Sequence, residues 1–291
     1  LHPDCVCYTS NNTVNEGYLE EMCRLLEGGI NVSTTSNVRL CYPQAPFNKE
    51  LVEKLEASCR KGGSTLFTSG MDPGASGDYF PLGLTSLSER VDRIRVVEMM
   101  NYASYPDPDY TGYVFGYGRP PDFEAPLFVN NRLTNNWGPM IYMLADALRV
   151  EVDEIREVYE RSIAEETIDC PMGLIQPGTV DGVYFQVQGI VNGKPMIIAE
   201  HVNRLRPTTD NDNWPTMADG SDTGYFLEIK GEPNFMMEVH MVAEDGNHTT
   251  AGTKATAMRV VNAIPVVCEA ESGVKSVLDL PMITAHGYSG K

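Results

Sequence analysis

The densest run of chemistry-bearing residues is Thr68-Ser69-Gly70-Met71-Asp72-Pro73-Gly74-Ala75-Ser76-Gly77-Asp78. It joins an apolar strand pattern, Leu66-Phe67-Thr68, to a helix pattern holding Tyr79, Phe80, Leu82 and Leu87. Free N–H groups around Gly74 to Gly77 could bind an anion or the carboxamide of a nicotinamide ring. The same residues, with the turn former Asp72-Pro73-Gly74, also describe a tight strand-to-helix corner that binds nothing. His201 lies in a strand pattern from Ile197 to Leu205, next to Glu200, so the two side chains should point to opposite faces. A histidine satisfied within the sheet and a catalyst are both open there. The five histidines show no H-E-x-x-H or comparable spacing, so no metal centre is expected. There is no G-x-S-x-G for nucleophilic hydrolysis and no G-x-x-x-x-G-K-[ST] phosphate loop. No G-x-G-x-x-G follows the first strand pattern either.

Alternating strand and helix patterns must position this corner. Residues 5–9 read as a strand, followed by a helix with Leu19, Met22, Cys23 and Leu26 on one face and a stop at Gly28-Gly29. A second strand, Ile30 to Thr34, leads to a helix with Asn48 as its cap, Leu51, Val52, Leu55 and Cys59 as its stripe, and Gly62-Gly63 as its stop. Strands joined by single amphipathic helices assemble as parallel neighbours, because each crossover covers a sheet face. Residues 1–88 therefore read as part of a doubly wound sheet, with Ser10–Asn12, Thr35–Asn37 and Ser69–Gly74 on its carboxyl edge, where such folds bind ligands.

Residues 89–252 have another character. A long strand spans Val91 to Tyr102, a Pro, Gly and Tyr-rich stretch runs from Tyr105 to Pro126, and a helix is expected from Met140 to Leu148. Further strands are expected at 155–161, 180–190, 196–205, 225–230 and 235–242, with an Asn192-Gly193 hairpin signal between two of them. Arg206 to Thr223 reads as an exposed loop with one anchoring Trp, and a last helix from about Thr253 should end at Pro265. Residues 253–291 are expected to pack back on the first unit. The fold class is α/β: a partial Rossmann-type parallel sheet followed by an α+β domain with a mostly antiparallel sheet.

Composition narrows the partners. With 42% apolar residues a sizeable core is available, and the net charge of −18 opposes nucleic acid and anionic membranes. The seven cysteines are odd in number and sit mostly in apolar stretches, which fits a reducing cytoplasm. The chain opens without Met directly into a strand, so an upstream segment is expected.

The sequence resembles the dihydrodipicolinate reductase-like oxidoreductases that include 2,4-diaminopentanoate dehydrogenase and the native amine dehydrogenases. The resemblance is carried by Pro3-Asp4-Cys5-Val6-Cys7-Tyr8-Thr9, Leu25-Leu26-Glu27-Gly28-Gly29-Ile30-Asn31-Val32, Tyr42-Pro43, Ser69-Gly70-Met71-Asp72-Pro73-Gly74 and Val187-Gln188-Gly189-Ile190. It continues through Glu200-His201-Val202, Glu244-Asp245-Gly246-Asn247-His248, Ala257 to Pro265 and Leu278-Asp279-Leu280-Pro281. It implies NAD or NADP as cofactor, with the Gly-rich turn ahead of the position matching Leu1. It implies hydride transfer to or from a small carbonyl, imine or amine, and the extended antiparallel sheet could supply a face for a homodimer.

On this resemblance Thr9 and Ser10 lie beside ribose and diphosphate, Thr34 and Thr35 border the ring end, Ser69, Gly70, Pro73 and Gly74 approach the nicotinamide, and Asn262 contributes to cofactor binding. Asp72, Tyr42 and His201 are the candidate proton donors. Glu98, Asn101, Tyr102 and Arg39 are expected in the substrate pocket, and Arg39, Arg119 and Arg132 could recognise a substrate carboxylate. One departure stands out. The amine-forming relatives carry a glutamate in a motif like S-T-C-E-E-L-x-Y-P, whereas Ser33-Thr34-Thr35-Ser36-Asn37-Val38-Arg39-Leu40-Cys41-Tyr42-Pro43 is one residue longer and has no carboxylate. A catalytically inactive ligand-binding or sensor protein that keeps the fold is the competing expectation.

Overall fold

The computed structural model describes residues 2–10, 17–105, 107–206 and 213–285. In the N-terminal part, strands β1 (Cys5–Tyr8), β2 (Asn31–Thr34) and β3 (Thr65–Thr68) alternate with helices α1 (Tyr18–Glu27) and α2 (Lys49–Gly62), and α3 (Tyr79–Thr85) follows the corner. The central part holds β4 (Arg90–Asn101), α4 (Pro108–Val114), α5 (Arg132–Leu148), β5 (Glu154–Ile163), β6 (Ile168–Cys170), β7 (Gly173–Ile175), β8 (Val180–Val191) and β9 (Lys194–Arg204). The chain continues through β10 (Gly224–Glu232), β11 (Phe235–Val239), α6 (His248–Val261), α7 (Ile264–Glu269) and β12 (Gly273–Lys275). No helix among the described residues is long and apolar enough to cross a membrane.

The first sheet is parallel, in the order β1-β2-β3-β12, with Val6 opposite Val32, Val32 opposite Leu66 and Leu66 opposite Val274. The expected stripes explain it: Met22, Cys23 and Leu26 of α1 and Leu55 and Cys59 of α2 form one core with Val32, Leu66 and Val274. Each large apolar side chain buried there is worth about 1.5–3 kcal/mol. Strand alternation turns Ser33 and Phe67 to the other face, where Phe67 packs with Ala263 and Val267 and Ser33 Oγ donates to Val260 O at 2.7 Å. The fourth strand comes from the far end of the chain. A three-residue strand carries too little periodicity to be read from sequence.

The second sheet has the order β11-β10-β4-β9-β8-β5, parallel between β4 and β9 and antiparallel elsewhere. Asn192 (φ 51°) and Gly193 (φ 72°) make the expected tight turn between β8 and β9. One face packs on α5, whose Ile141, Met143 and Leu144 meet residues such as Val96, Val187, Ile197 and Ala199. On the other face Arg95 holds Glu200 through two hydrogen bonds of 2.7 Å.

Several expectations need correction. Helix α5 begins at Arg132 rather than Met140 and runs through Pro139; burial of Leu133, Trp137 and Ile141 outweighs the backbone bond the proline lacks. The last helical segment starts at His248, because the Asn247 side chain accepts from the N–H groups of Thr249 (2.7 Å) and Thr250 (3.3 Å). Pro265 does not end it but sits in the first turn of α7, where a missing N–H costs nothing. Within the stretch read as a loop, Trp214 does anchor, stacking on Tyr184 at 5.8 Å; residues 207–212 lie outside the described residues.

Candidate active site

The corner after β3 faces the second sheet. Asp72 and Pro73 stand at the carboxyl edge of the parallel strands, Glu98 on β4 and His201 on β9, where Glu98 and His201 are partners in register. His201 Nδ1 lies 3.3 Å from Glu98 Oε1 and its Nε2 lies 3.6 Å from Asp72 Oδ1. The ring stacks on Phe185 (4.4 Å, 10°) and meets the edge of Trp137 at 4.5 Å. Trp137 Nε1 donates to Asp72 Oδ1 at 2.7 Å, Ser76 Oγ donates to Asp72 Oδ2 at 2.9 Å, and Tyr225 OH donates to Glu98 Oε2 at 2.9 Å. Three residues far apart in sequence thus form one cluster, the side chains of Asp72 and His201 being only 4% and 3% exposed.

Burial sets the protonation. Removal from water, aided by the Glu98 charge, pushes the Asp72 carboxyl up to about 6, against the pull of His201, Trp137 and Ser76. Burial alone would lower His201, but the neighbouring Asp72 and then Glu98 more than offset it, so the imidazole lies above its ordinary value. Burial first, then the Glu98 charge, hold the Tyr225 and Tyr102 phenols well above theirs, so both remain neutral donors. Asp72, Glu98 and His201 offer ligand atoms within 4.8 Å of one another, close enough to share a divalent cation, and this is the one such group among the described residues.

Two adjoining cavities, of about 760 and about 400 Å³, meet at this cluster. Asp72, Pro73, Glu98, Tyr102, Tyr105 and Tyr110 line both. The larger is walled by the strand-end residues Thr9, Ser10, Thr35, Ser36 and Asn37, by Arg39 and Arg132, and by Trp137, His201 and Asn203. The smaller lies between Ser69, Gly70 and Met71 of the corner, Met100 and Tyr225 of the second sheet, and Thr249, Gly252, Thr253 and Thr256 of α6.

Other expected site residues lie elsewhere. Tyr42 is buried with its hydroxyl donating to Asp146 of α5 at 2.9 Å, so it ties the loop after β2 to α5 and lines neither cavity. Thr34 is also buried, its Oγ1 accepting from Ser36 N at 2.9 Å, and it shapes the loop without lining it. Asn101 donates to Asp222 at 2.7 Å and caps the turn at Ala103. Asn262 ends α6 and lines neither cavity. Gly74, at φ 150°, supports the corner from behind, where a Cβ would stand 3.1 Å from Ser69 Oγ. Arg39 lines the larger cavity, but its guanidinium is taken by Phe47 O (2.7 Å) and Asn48 Oδ1 (3.2 Å). Arg119 lies over Phe123 at 5.6 Å and lines neither cavity.

Trp137, Tyr225 and Asn203 went unread. A Trp or Tyr near an acidic cluster needs a partner for its N–H or O–H, but nothing in the sequence said which carboxylate. The corner is also braced from behind by a buried ion pair: Arg259 of α6 donates to both oxygens of Asp78 (3.1 and 3.3 Å) and to Ser69 Oγ (3.3 Å), above the Tyr79 ring at 4.6 Å.

A parallel half-sheet whose strand ends open on a buried acid–histidine cluster against a second, mostly antiparallel sheet is an α/β architecture with a ligand site at its carboxyl edge. Comparisons with known proteins give the family. Residues 136–289 match the 2,4-diaminopentanoate dehydrogenase C-terminal domain. The chain is 36% identical over 292 aligned positions to an amine dehydrogenase of Streptomyces virginiae, covering 99% of this chain and 80% of that protein. It is 24% identical to the 2,4-diaminopentanoate dehydrogenase of Acetoanaerobium sticklandii, covering 89% of this chain and 68% of that protein. In fold it is similar to the amine dehydrogenase of Mycobacterium smegmatis, with a TM-score of 0.74 at 22% identity, covering 98% of this chain and 78% of that one. The chain belongs to the amine dehydrogenase and 2,4-diaminopentanoate dehydrogenase family of oxidoreductases.

Proposed function

We propose that this protein is an NAD- or NADP-dependent oxidoreductase that interconverts a small primary amine and the corresponding imine or carbonyl compound. The observation that carries the reading is the Asp72–His201–Glu98 cluster, whose two carboxylates line both cavities and whose imidazole lines the larger. The uncharged strand-end wall of Thr9, Ser10, Thr35 and Ser36, with Asn37 and Pro73, fits the ribose and ring of a nicotinamide nucleotide in a cavity of about 760 Å³. Such a nucleotide, when bound, would accept or supply the hydride. The names of the curated relatives support the amine side.

The chain's own residues then have defined tasks. Asp72 and Glu98, their own side chains largely removed from water, attract an ammonium group to the cavity wall. A bound ammonium cannot release hydride from its carbon until nitrogen has lost a proton. Asp72, raised to about 6, is close enough to neutrality to take that proton and return it in the reverse direction. His201 sets the charge of the cluster, and the rings of Tyr102, Tyr105 and Tyr110 exclude water. Asp72 would thus supply the carboxylate that Ser33 to Pro43 lacks.

Fluorescence titration with NADH and NADPH, followed by turnover of an amine panel and of ketones with ammonia, tests the reading. Saturable binding of one nucleotide with amine-dependent reduction is expected. Binding without turnover of any compound would leave the ligand-binding alternative, and no binding by folded protein would remove the nucleotide assignment.

A further inference from the structure

We infer that Gly252 of α6 sets the size limit on the substituent borne by the reacting carbon, and that this substituent is an apolar group without a carboxylate, held in the smaller cavity. The inference rests on the amine reading above and adds to it the class of amine. Thr249, Gly252, Thr253 and Thr256 recur at i, i+3, i+4 and i+7 and present one face of α6 to that cavity, about 400 Å³ in volume. Glycine in the body of a helix is less stable than alanine, so its presence calls for a local reason.

Three of the other four helical glycines meet a neighbour, and a Cβ at Gly112 of α4 would stand 3.4 Å from Tyr117 O. A Cβ at Gly62 of α2 would strike Leu26 O at 1.9 Å, and one at Gly138 of α5 would press on the Phe47 ring at 3.3 Å. Gly83 of α3 meets nothing within 4 Å but faces solvent. Gly252 also meets nothing within 4 Å, its φ is not positive, and it lines a cavity. The room left by its missing side chain belongs to the cavity rather than to the packing of the protein.

The chemistry of the same chamber selects the occupant. Among the described residues its lining contains no Lys, Arg or His, while Asp72 and Glu98 stand at its inner wall. A substrate carboxylate would lie beside two acids whose neighbouring cation, His201, is already shared between them and does not line this chamber. Met71, Met100 and the threonine methyls offer apolar contact instead.

The test compares wild type, Gly252→Ala and Gly252→Leu in kcat/KM over primary amines of increasing chain length and over an amino acid of matched carbon number. In the leucine variant the longest amine should lose at least about tenfold relative to the shortest, which stays within about threefold of wild type. Alanine should fall between and raise Tm. Wild type should favour the amine over the matched amino acid by at least about tenfold. A uniform loss across the series, no change with length, or a preference for the amino acid would overturn the inference. If wild type turns over no amine, the function reading fails separately, and ligand-induced shifts in Tm decide on Gly252: the longest amine should stabilise wild type but not Gly252→Leu, and equal shifts in both, or in neither, count against it.

Discussion

Replacing Asp72 by Asn should make the protein more stable above neutral pH while removing most of its activity. The substitution keeps the shape, so Trp137 Nε1 can still donate to the retained oxygen that now accepts it at 2.7 Å. The charge is lost, and the Ser76 hydroxyl, which donates to Oδ2 at 2.9 Å, must turn to accept from the new amide NH2. The folded Asp72 carboxyl lies at about 6 against an ordinary 3.8, so folding favours its protonated form. Its contribution to stability is therefore fully present below about pH 4 and is lost as pH rises through about 6. That displacement corresponds to about 3 kcal/mol at pH 8, the upper limit of what the variant can recover. The attraction between Asp72 and a protonated His201 disappears with the charge and subtracts from it. Thermal or denaturant midpoints at pH 4, 6 and 8 should show the variant's advantage growing with pH. Turnover should fall by about 10²–10⁴-fold if Asp72 moves the proton. A stability difference that is the same at every pH would refute the account of a buried, strained carboxylate. Full activity in a folded Asp72→Asn protein would refute its catalytic role.

Arg259→Ala should leave Asp78 buried without its cation and cost about 3–5 kcal/mol. Burial already raises Asp78 despite Arg259, so its removal raises the carboxyl further, and the deficit in denaturant midpoint should shrink as pH falls toward the ordinary carboxylate range. Gly189→Ala places a methyl 2.3 Å from Ile141 Cγ2. It should cost about 1–3 kcal/mol by forcing α5 away from β8, read as a lower Tm with unchanged nucleotide affinity.

The site was partly legible because its pieces sit on different kinds of signal. Asp72 belongs to a local pattern, strand then glycine-rich corner then helix, and such patterns are set by neighbours in sequence. Glu98 lies in, and Tyr102 directly follows, a strand long enough to be read. That Glu98 would face His201 depends on β4 and β9 pairing in parallel with a particular register, and no residue in either strand specifies its partner. Tyr42 shows the converse: its place beside Pro43 suggested the pocket, but a hydroxyl seeking a partner found Asp146 on α5.

The sequence by itself determined the parallel β-α-β units, the β8–β9 hairpin, the alternation that separates Glu200 from His201, and the acidic charge that disfavours nucleic acid. These follow from periodicity, turn chemistry and composition, all local or additive. Tertiary structure alone decided that β12 completes the first sheet, that α6 walls the smaller cavity with Gly252, and that Asp72, Glu98 and His201 share one buried cluster. Those outcomes depend on which apolar faces meet and on the desolvation that results, quantities that exist only once distant segments have closed on one another.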